Sequence, residues 1–443
     1  FNSVKPANFE KMIVLKNFIF KGFFLIMNIS CKINLPLLSA CIIFLSLREM
    51  KGIKYGKITK KYIVLHKSVG IDDLKDSFYL KSSNFKFLVI KRRFIKIIYD
   101  NFVKNDHLKD YDYFTKDKKI LKGQAQYNKF LKKVISKLQL LIEFDGFINF
   151  NIFYEAEVEL QKVSSNLGLK FITIHKEALH PPLYFKQIQW IYKNTANKFY
   201  GTKVLTYNNQ EKRSLVVNNI APSNKIKVVG MPRLIKSLNL NTKSYKKKNY
   251  FKNIVLFTTY NRYLPYYNNP YLKKPKHKIF NRITDTNFKK IEQKTFVLLK
   301  KLLEKENDVH LSIKIRTGFN ENTKIFQKFG DRVKFITGGA GHELLANNGI
   351  VIGFNSTIVL ESLAAGRITF CPFLNNSSKE LFEFTKNTIC SNSPNFLLSK
   401  LTKAKDGKLK ISKKNQIEIK KALHFYLYNN DKQAGERLIK ELN

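Results

Sequence analysis

The chain has 443 residues, 44% of them hydrophobic, and a formal net charge of +47. That is enough for two domains with substantial cores and excludes a disordered or fibrous polypeptide. Lysine far outnumbers arginine, and Asn, Ile, Phe and Tyr are abundant, the composition that AT-rich codons produce, so much of the charge belongs to solvated faces.

What charge remains attracts polyanions and anionic lipid headgroups. No basic helix with interleaved aromatics, zinc-finger spacing or RNA-binding aromatic signature argues for nucleic acid. Cys31, Cys41, Cys371 and Cys390 are scattered and fit no metal spacing; they read as reduced packing residues of a cytoplasmic protein. The chain begins at Phe1 rather than Met, which leaves room for a missing N-terminus.

Residues 12–27 and 33–47 are strongly apolar but interrupted by Lys16, Lys21, Lys32 and Pro36. Neither run reaches the ~18–20 residues of a spanning helix, and no small-residue cleavage site supports a signal peptide over 11–31. They are read as a buried strand and a buried helix of the first domain, in preference to a membrane anchor. Patterning is weak up to about residue 140.

From FDGFINFNIFY (144–154) onward strands and helices alternate. EAEVELQKVSSNLG (155–168) has helical spacing and closes on Gly168, LKFITIH (169–175) and KVLTYNN (203–209) are strand-like, EKRSLVVNNI (211–220) is helical, and KIKVVGMPR (225–233) is a strand. Glu155, Glu157 and Glu159 fall at a helix start, where they complement the dipole. NLNTKSYKKKNY (239–250) lacks apolar periodicity and reads as a basic linker between domains at 1–238 and 251–443.

The second half repeats the logic: strands at 253–260, 309–318, 332–339, 350–354 and 367–373, helices at 287–306, 342–348 and 356–366, and one or two helices over 412–441. Alternation of this kind implies parallel sheets with right-handed crossovers. The expected fold is α/β, two Rossmann-like domains facing across a cleft, with the C-terminal helix returning toward the first.

In such sheets ligands sit where strand C-termini meet helix N-termini. The stretch IVIGFNSTIVLESLAAGR (350–367) is such a place. Asn355 or Ser356 can cap the following helix, whose first-turn amides then favour a phosphate. Glu361, one and a half turns on, can reach a sugar hydroxyl; equally, Ser356 is a plain cap and Glu361 a surface residue. Lys314 and Arg316 follow a strand and can neutralise a diphosphate, or belong to a solvated edge. Gly338-Gly339-Ala340-Gly341 is neither a Walker loop nor a dinucleotide fingerprint and reads as a turn. His342 follows it and either caps a helix, contacts a ligand or does neither. His175 and Glu177 lie at a strand exit toward the cleft, where a general base would stand; an ion pair in a loop is the competing account. Gly230 and Arg233 end the first domain, with Pro232 stiffening the corner.

VIGFNSTIVLESLAAGR resembles the donor-binding segment of GT-B glycosyltransferases, particularly those that build capsule and other surface polysaccharides. KIKVVGMPR, NIVLFTTY (253–260), HELLANNGIVIGF and KFITIHKE (170–177) are similar to further segments of that class, in the same order. The likeness covers roughly residues 143–375. It implies a metal-independent transferase without a cofactor that moves a sugar from a nucleotide-activated donor to a polysaccharide or lipid-linked acceptor. It also implies that Glu361 holds the ribose and Asn355, Ser356 and Thr357 the phosphates; by their own positions, Gly230, Arg233, Lys314, Arg316 and His342 are the further donor-side candidates. Two departures stand out. Many retaining members carry a second Glu eight positions earlier, where this chain has Gly353, and glycerol-phosphate and sugar-acid transferases often carry His-Pro where Arg316-Thr317-Gly318 stands. A basic first domain would hold such an enzyme peripherally against an anionic inner membrane face. Two other readings stand beside it: a nucleotide-sugar epimerase, which also pairs two nucleotide folds, and a non-enzymatic polyanion-binding protein with steep salt dependence.

Overall fold

The computed structural model of the chain describes residues 7–79, 81–103, 117–176, 179, 182–194, 198–241, 250–258, 288–315, 324–339, 341–354, 356–374, 389–391, 393–429 and 431–443. Its elements divide between two sheets. The first body runs through α1 (Ala7–Lys32), α2 (Pro36–Ser46), β1 (Arg48–Glu49), β2 (Tyr55–His66), α3 (Ser68–Ser77), β3 (Ser83–Lys91), α4 (Arg93–Phe102) and α5 (Lys118–Leu141). It continues with β4 (Gly146–Asn149), α6 (Glu155–Asn166), β5 (Lys170–His175), α7 (Pro182–Asn194), β6 (Lys203–Thr206), α8 (Asn209–Val217), β7 (Ile226–Val228) and α9 (Leu234–Asn241). The second holds β8 (Asn253–Phe257), α10 (Phe288–Lys305), β9 (His310–Lys314), β10 (Val333–Ile336), α11 (Gly341–Leu344), β11 (Ile350–Ile352), α12 (Thr357–Ala364), β12 (Ile368–Pro372) and β13 (Ile389–Ser391). Helices α13 (Pro394–Lys405), α14 (Lys413–Leu427) and α15 (Ala434–Leu442) follow.

The first sheet has the order β1-β3-β2-β4-β5-β6-β7, and only the short β1 is antiparallel to its neighbour. The second, β10-β9-β8-β11-β12-β13, is parallel throughout. Runs such as IVLF and IVI are apolar on both faces because helices cover both sides of a parallel sheet. Ile254 and Leu256 face α10 and α13, while Val255 and Phe257 face α11 and α12. Leaving aside the short antiparallel β1, the chain reverses its direction of growth once in each sheet, between β2 and β4 and between β8 and β11.

The expected strand over 12–27 is instead part of α1. A continuous apolar run does not distinguish strand from buried helix by period, and here length decides for helix. Nor are the two N-terminal runs simply buried: α1 and α2 form a hairpin against α4 and α5 whose outer side remains exposed.

The two bodies share one apolar seam. Leu360, Leu363 and Ala364 of α12 pack in the same cluster as Val229, Met231 and Leu234 at the end of the first sheet, together with Leu423 and Leu427 of α14 and Leu438 and Leu442 of α15. Helix α15 returns to the first sheet: the Tyr62 hydroxyl donates to Leu442 O (2.8 Å) and Arg437 Nε to Val229 O (3.0 Å). Of the linker expected at 239–250, residues 239–241 finish α9, Tyr250 opens a short 3-10 turn, and 242–249 lie outside the described residues.

Candidate active site

The second sheet switches direction between β8 and β11, and the crevice of a doubly wound sheet opens beyond the strand ends at that point. Helix α12, which follows β11, starts there. Ser356 is extended (φ −127°, ψ 152°) and exposed, and its hydroxyl does not cap the helix. The first intrahelical bond runs from Val359 N to Ser356 O (3.0 Å); the amides of Thr357, half-buried, and Ile358 precede it. The mouth is therefore open, and it carries the positive end of the helix dipole.

Neighbouring strand ends complete the rim. Thr258 N and Oγ1 each donate to Lys314 O (3.2 Å) just beyond β8 and β9. Lys314 Nζ donates to Gly338 O. Burial lowers the Lys314 pKa, with Glu343 opposing. Gly338 and Gly339 have φ of 69° and 70°, where a side chain would be strained, so this turn needs its glycines. A Cβ at Gly353 would come 3.0 Å from Val359 Cγ2. A side chain at Gly353, the position where many retaining transferases carry a second Glu, would therefore need Val359 to give way slightly.

Glu361 does not face the open mouth. It is buried, and its Oε1 accepts from Arg233 Nε (3.3 Å) across the seam. Arg233, just past β7, also donates from Nη1 to Asp73 Oδ2 (2.8 Å) and to the Tyr207 hydroxyl (3.2 Å), and Tyr207 itself donates to Asp73 Oδ2. Burial disfavours the guanidinium charge, but Asp73 and Glu361 outweigh it and hold Arg233 well above its usual range. Burial pushes the Glu361 carboxyl up, with Arg233 pulling it back. Beside this group Lys236 Nζ meets Asp76 Oδ1 at 2.9 Å, and burial raises Asp76 to about 6 against the pull of Lys236.

His342 is buried at the start of α11, and burial, reinforced by Lys236 and Arg233 against Glu343, lowers its pKa to about 4. It is neutral at pH 7. Gly230 does not line the crevice: with φ of 84° it lies under the C-terminal helices, where a Cβ would be 3.1 Å from Leu427 O. His175 ends β5 as expected but does not open on the cleft. It is fully buried, with Nε2 3.2 Å from Glu211 Oε1 and its ring edge-on to Phe153. Glu211 Oε1 also accepts from the Tyr192 hydroxyl (2.8 Å). Glu177, Arg316 and Asn355 lie outside the described residues.

Asp73, Tyr207 and Lys236 join the seam without any signal in the sequence. The pair Asp72-Asp73 sits in an ordinary amphipathic helix, and Tyr207 ends a strand as many tyrosines do.

No protein-family model matches the sequence, and no curated protein matches it. Solved structures do. The S. aureus MnaA–UDP co-structure aligns at TM-score 0.50 and 10% identity, over 87% of this chain and 96% of that one. A putative UDP-N-acetylglucosamine 2-epimerase from Listeria monocytogenes aligns at 0.49 and 12%, over 87% and 96%. A glycosyltransferase from Rickettsia africae aligns at 0.42 and 13%, over 88% and 99%. The chain has the GT-B-like fold of two Rossmann-like domains, as expected from its strand and helix alternation.

Proposed function

We propose that this protein is an enzyme acting on a nucleotide-activated sugar. Its donor diphosphate sits at the mouth of α12, and its activity is transfer of the sugar to a surface polysaccharide or lipid-linked acceptor. The observation that carries the reading is the exposed, uncapped start of α12 at the switch point of the second sheet. The amides of the Ser356–Thr357 turn, with Asn355, meet the phosphates. Lys314 and Arg316 balance the charge that develops on the leaving diphosphate, in place of a metal ion. Glu361 and Arg233 fix the helix against the first lobe, and neutral His342 offers a donor or acceptor rather than a charge. The base that activates the acceptor is assigned to Glu177, two positions beyond the end of β5; His175, enclosed against Glu211, anchors that strand end.

A second reading is a nucleotide-sugar 2-epimerase, which also pairs two nucleotide folds; the fold likeness to a UDP co-structure, over 87% of this chain, supports a UDP-sugar substrate under either reading. The two separate in one experiment. Thermal unfolding with a panel of nucleotides should show selective stabilisation by UDP, about 2.7 kcal/mol at 100 times the dissociation constant. A flat response removes both readings and leaves polyanion binding. UDP-GlcNAc is then incubated alone and followed by NMR. Conversion to a 2-epimer without acceptor selects the epimerase; release of UDP that depends on added acceptor selects the transferase.

A further inference from the structure

The outer side of the α1–α2 hairpin is apolar where a surface helix is normally polar. Phe18 and Leu25 on α1 are 72% and 61% exposed, Ile33 in the turn after it 56%, and Leu37 and Leu45 on α2 53% and 56%. On α1 the exposed apolar positions among the described side chains are 18, 19, 25, 26 and 29, one helical face, while Phe20, Met27 and Cys31 on the opposite face are buried in the first core. Contiguous apolar surface on this scale marks a contact with another apolar phase.

The charge around it is mostly positive; Asp100 of α4, in the groove beside Phe24 and Leu25, is paired with Lys96 (3.2 Å). Residues 18–46 hold Lys21 and Lys32 and not one Asp or Glu. Helix α5, on which α2 packs, holds no carboxylate over 118–141 either. Its lysines, among them Lys122, Lys129, Lys132, Lys133 and Lys137, are exposed. Among the described residues no helix is long and apolar enough to cross a membrane. An apolar hairpin face bordered by lysines has the character of an element that lies in the plane of a bilayer interface.

We infer that the α1–α2 hairpin seats the protein on an anionic lipid bilayer: its outer face enters the boundary between headgroups and acyl chains, and the α5 lysines bind the anionic headgroups. The occupant is a bilayer rather than a second copy of this chain, because two copies would bring two surfaces with a large excess of lysine over carboxylate together. The inference does not depend on the activity proposed above, and its readout involves no turnover.

The test is co-sedimentation of the full chain with vesicles of phosphatidylcholine alone and of phosphatidylcholine with phosphatidylglycerol. The wild type should pellet with the anionic vesicles and be released by high salt. Leu25→Asp with Ile29→Asp should weaken binding at least about tenfold, and so should Lys132→Glu with Lys133→Glu and Lys137→Glu. All five positions are exposed, so unchanged circular dichroism and thermal midpoint should accompany the loss. Wild-type protein that stays in the supernatant with anionic vesicles overturns the inference. So does binding that neither variant alters, or a concentration-dependent dimer that Leu25→Asp with Ile29→Asp converts to monomer while vesicle binding is absent.

Discussion

At the C-terminal edge of the first sheet, helix α6 begins with three carboxylates that all have partners within the chain, whereas at the same edge of the second sheet α12 begins with an exposed serine that caps nothing. Glu155 meets Lys96 (3.0 Å), Glu157 accepts from Arg92 and from Asn149 Nδ2 (2.7 Å), and Glu159 meets Lys162 (2.7 Å) and Asn128. All three are buried, and the Arg92 guanidinium lies 3.4 Å over the Tyr154 ring. Parallel sheets with the same reversal of direction thus treat the positive ends of their helices differently. The first lobe sets buried, paired carboxylates around the start of α6, although Tyr154 does not cap it with a side chain either. The second leaves one open, and an anion from outside is what would complete it.

The largest effect that sharpens this contrast lies on the seam between the two lobes. Arg233→Ala leaves Asp73 and Glu361 buried without their cation and should cost about 3–5 kcal/mol in chemical denaturation, with Arg233→Lys recovering only part. A loss below about 1 kcal/mol would mean that the seam is held by its apolar residues alone. Next comes the closed edge: Glu157→Ala strands Arg92 and Asn149 and should cost about 2–3 kcal/mol, while stabilisation by UDP stays as in the wild type.

His342 gives a pH-dependent effect. The unfolded chain binds a proton at this residue near pH 6.5, the folded one only near 4. Between those values the unfolded state holds more protons, so the contribution of His342 to stability declines as pH falls through the window, by about 3 kcal/mol at most. Burial raises the carboxyls of Asp76 and Glu361, and they pull the other way. The readout is therefore the difference between wild type and His342→Asn, measured from pH 7 to pH 4. A difference that does not change over that range contradicts a neutral, desolvated imidazole.

The smallest effect has the most to say about the open edge. Ser356→Asp supplies the carboxylate that the first lobe already uses, and should stabilise the fold by about 0.5–1 kcal/mol while abolishing the UDP-induced shift. Stability and ligand response moving in opposite directions would separate a ligand site from a plain helix cap.

Most of the second sheet was legible because its strands are short apolar runs closed by Gly or by polar letters: 350–354, 356–366 and 367–373 reappear as β11, α12 and β12 within two residues. The N-terminal runs were not, since an all-apolar stretch has no period to read and the reason for its apolar outer face lies outside the chain. At the site, the turn at Ser356 was visible from a strand end followed by a cap residue. The destination of Glu361 was not, because Asp73 and Tyr207, which fix its partner Arg233, stand 160 and 26 positions from that arginine. His175 was placed at the right strand end with the wrong exposure: position along a strand says where a side chain begins, and only the packing of Phe153, Tyr192 and Glu211 says whether solvent reaches it.

Gly435 in α15 sits so close to α3 that a Cβ there would lie 2.7 Å from the Cα of Ser77. Residues 358 positions apart are thus fitted backbone to backbone, with no side chain between them. During synthesis the early half emerges first, yet the helix that closes it is translated after the entire later half. The first lobe thus lacks its closing helix until after the second sheet has been made, and a stop between α14 and α15 would uncover the first lobe while leaving every strand of the second in place.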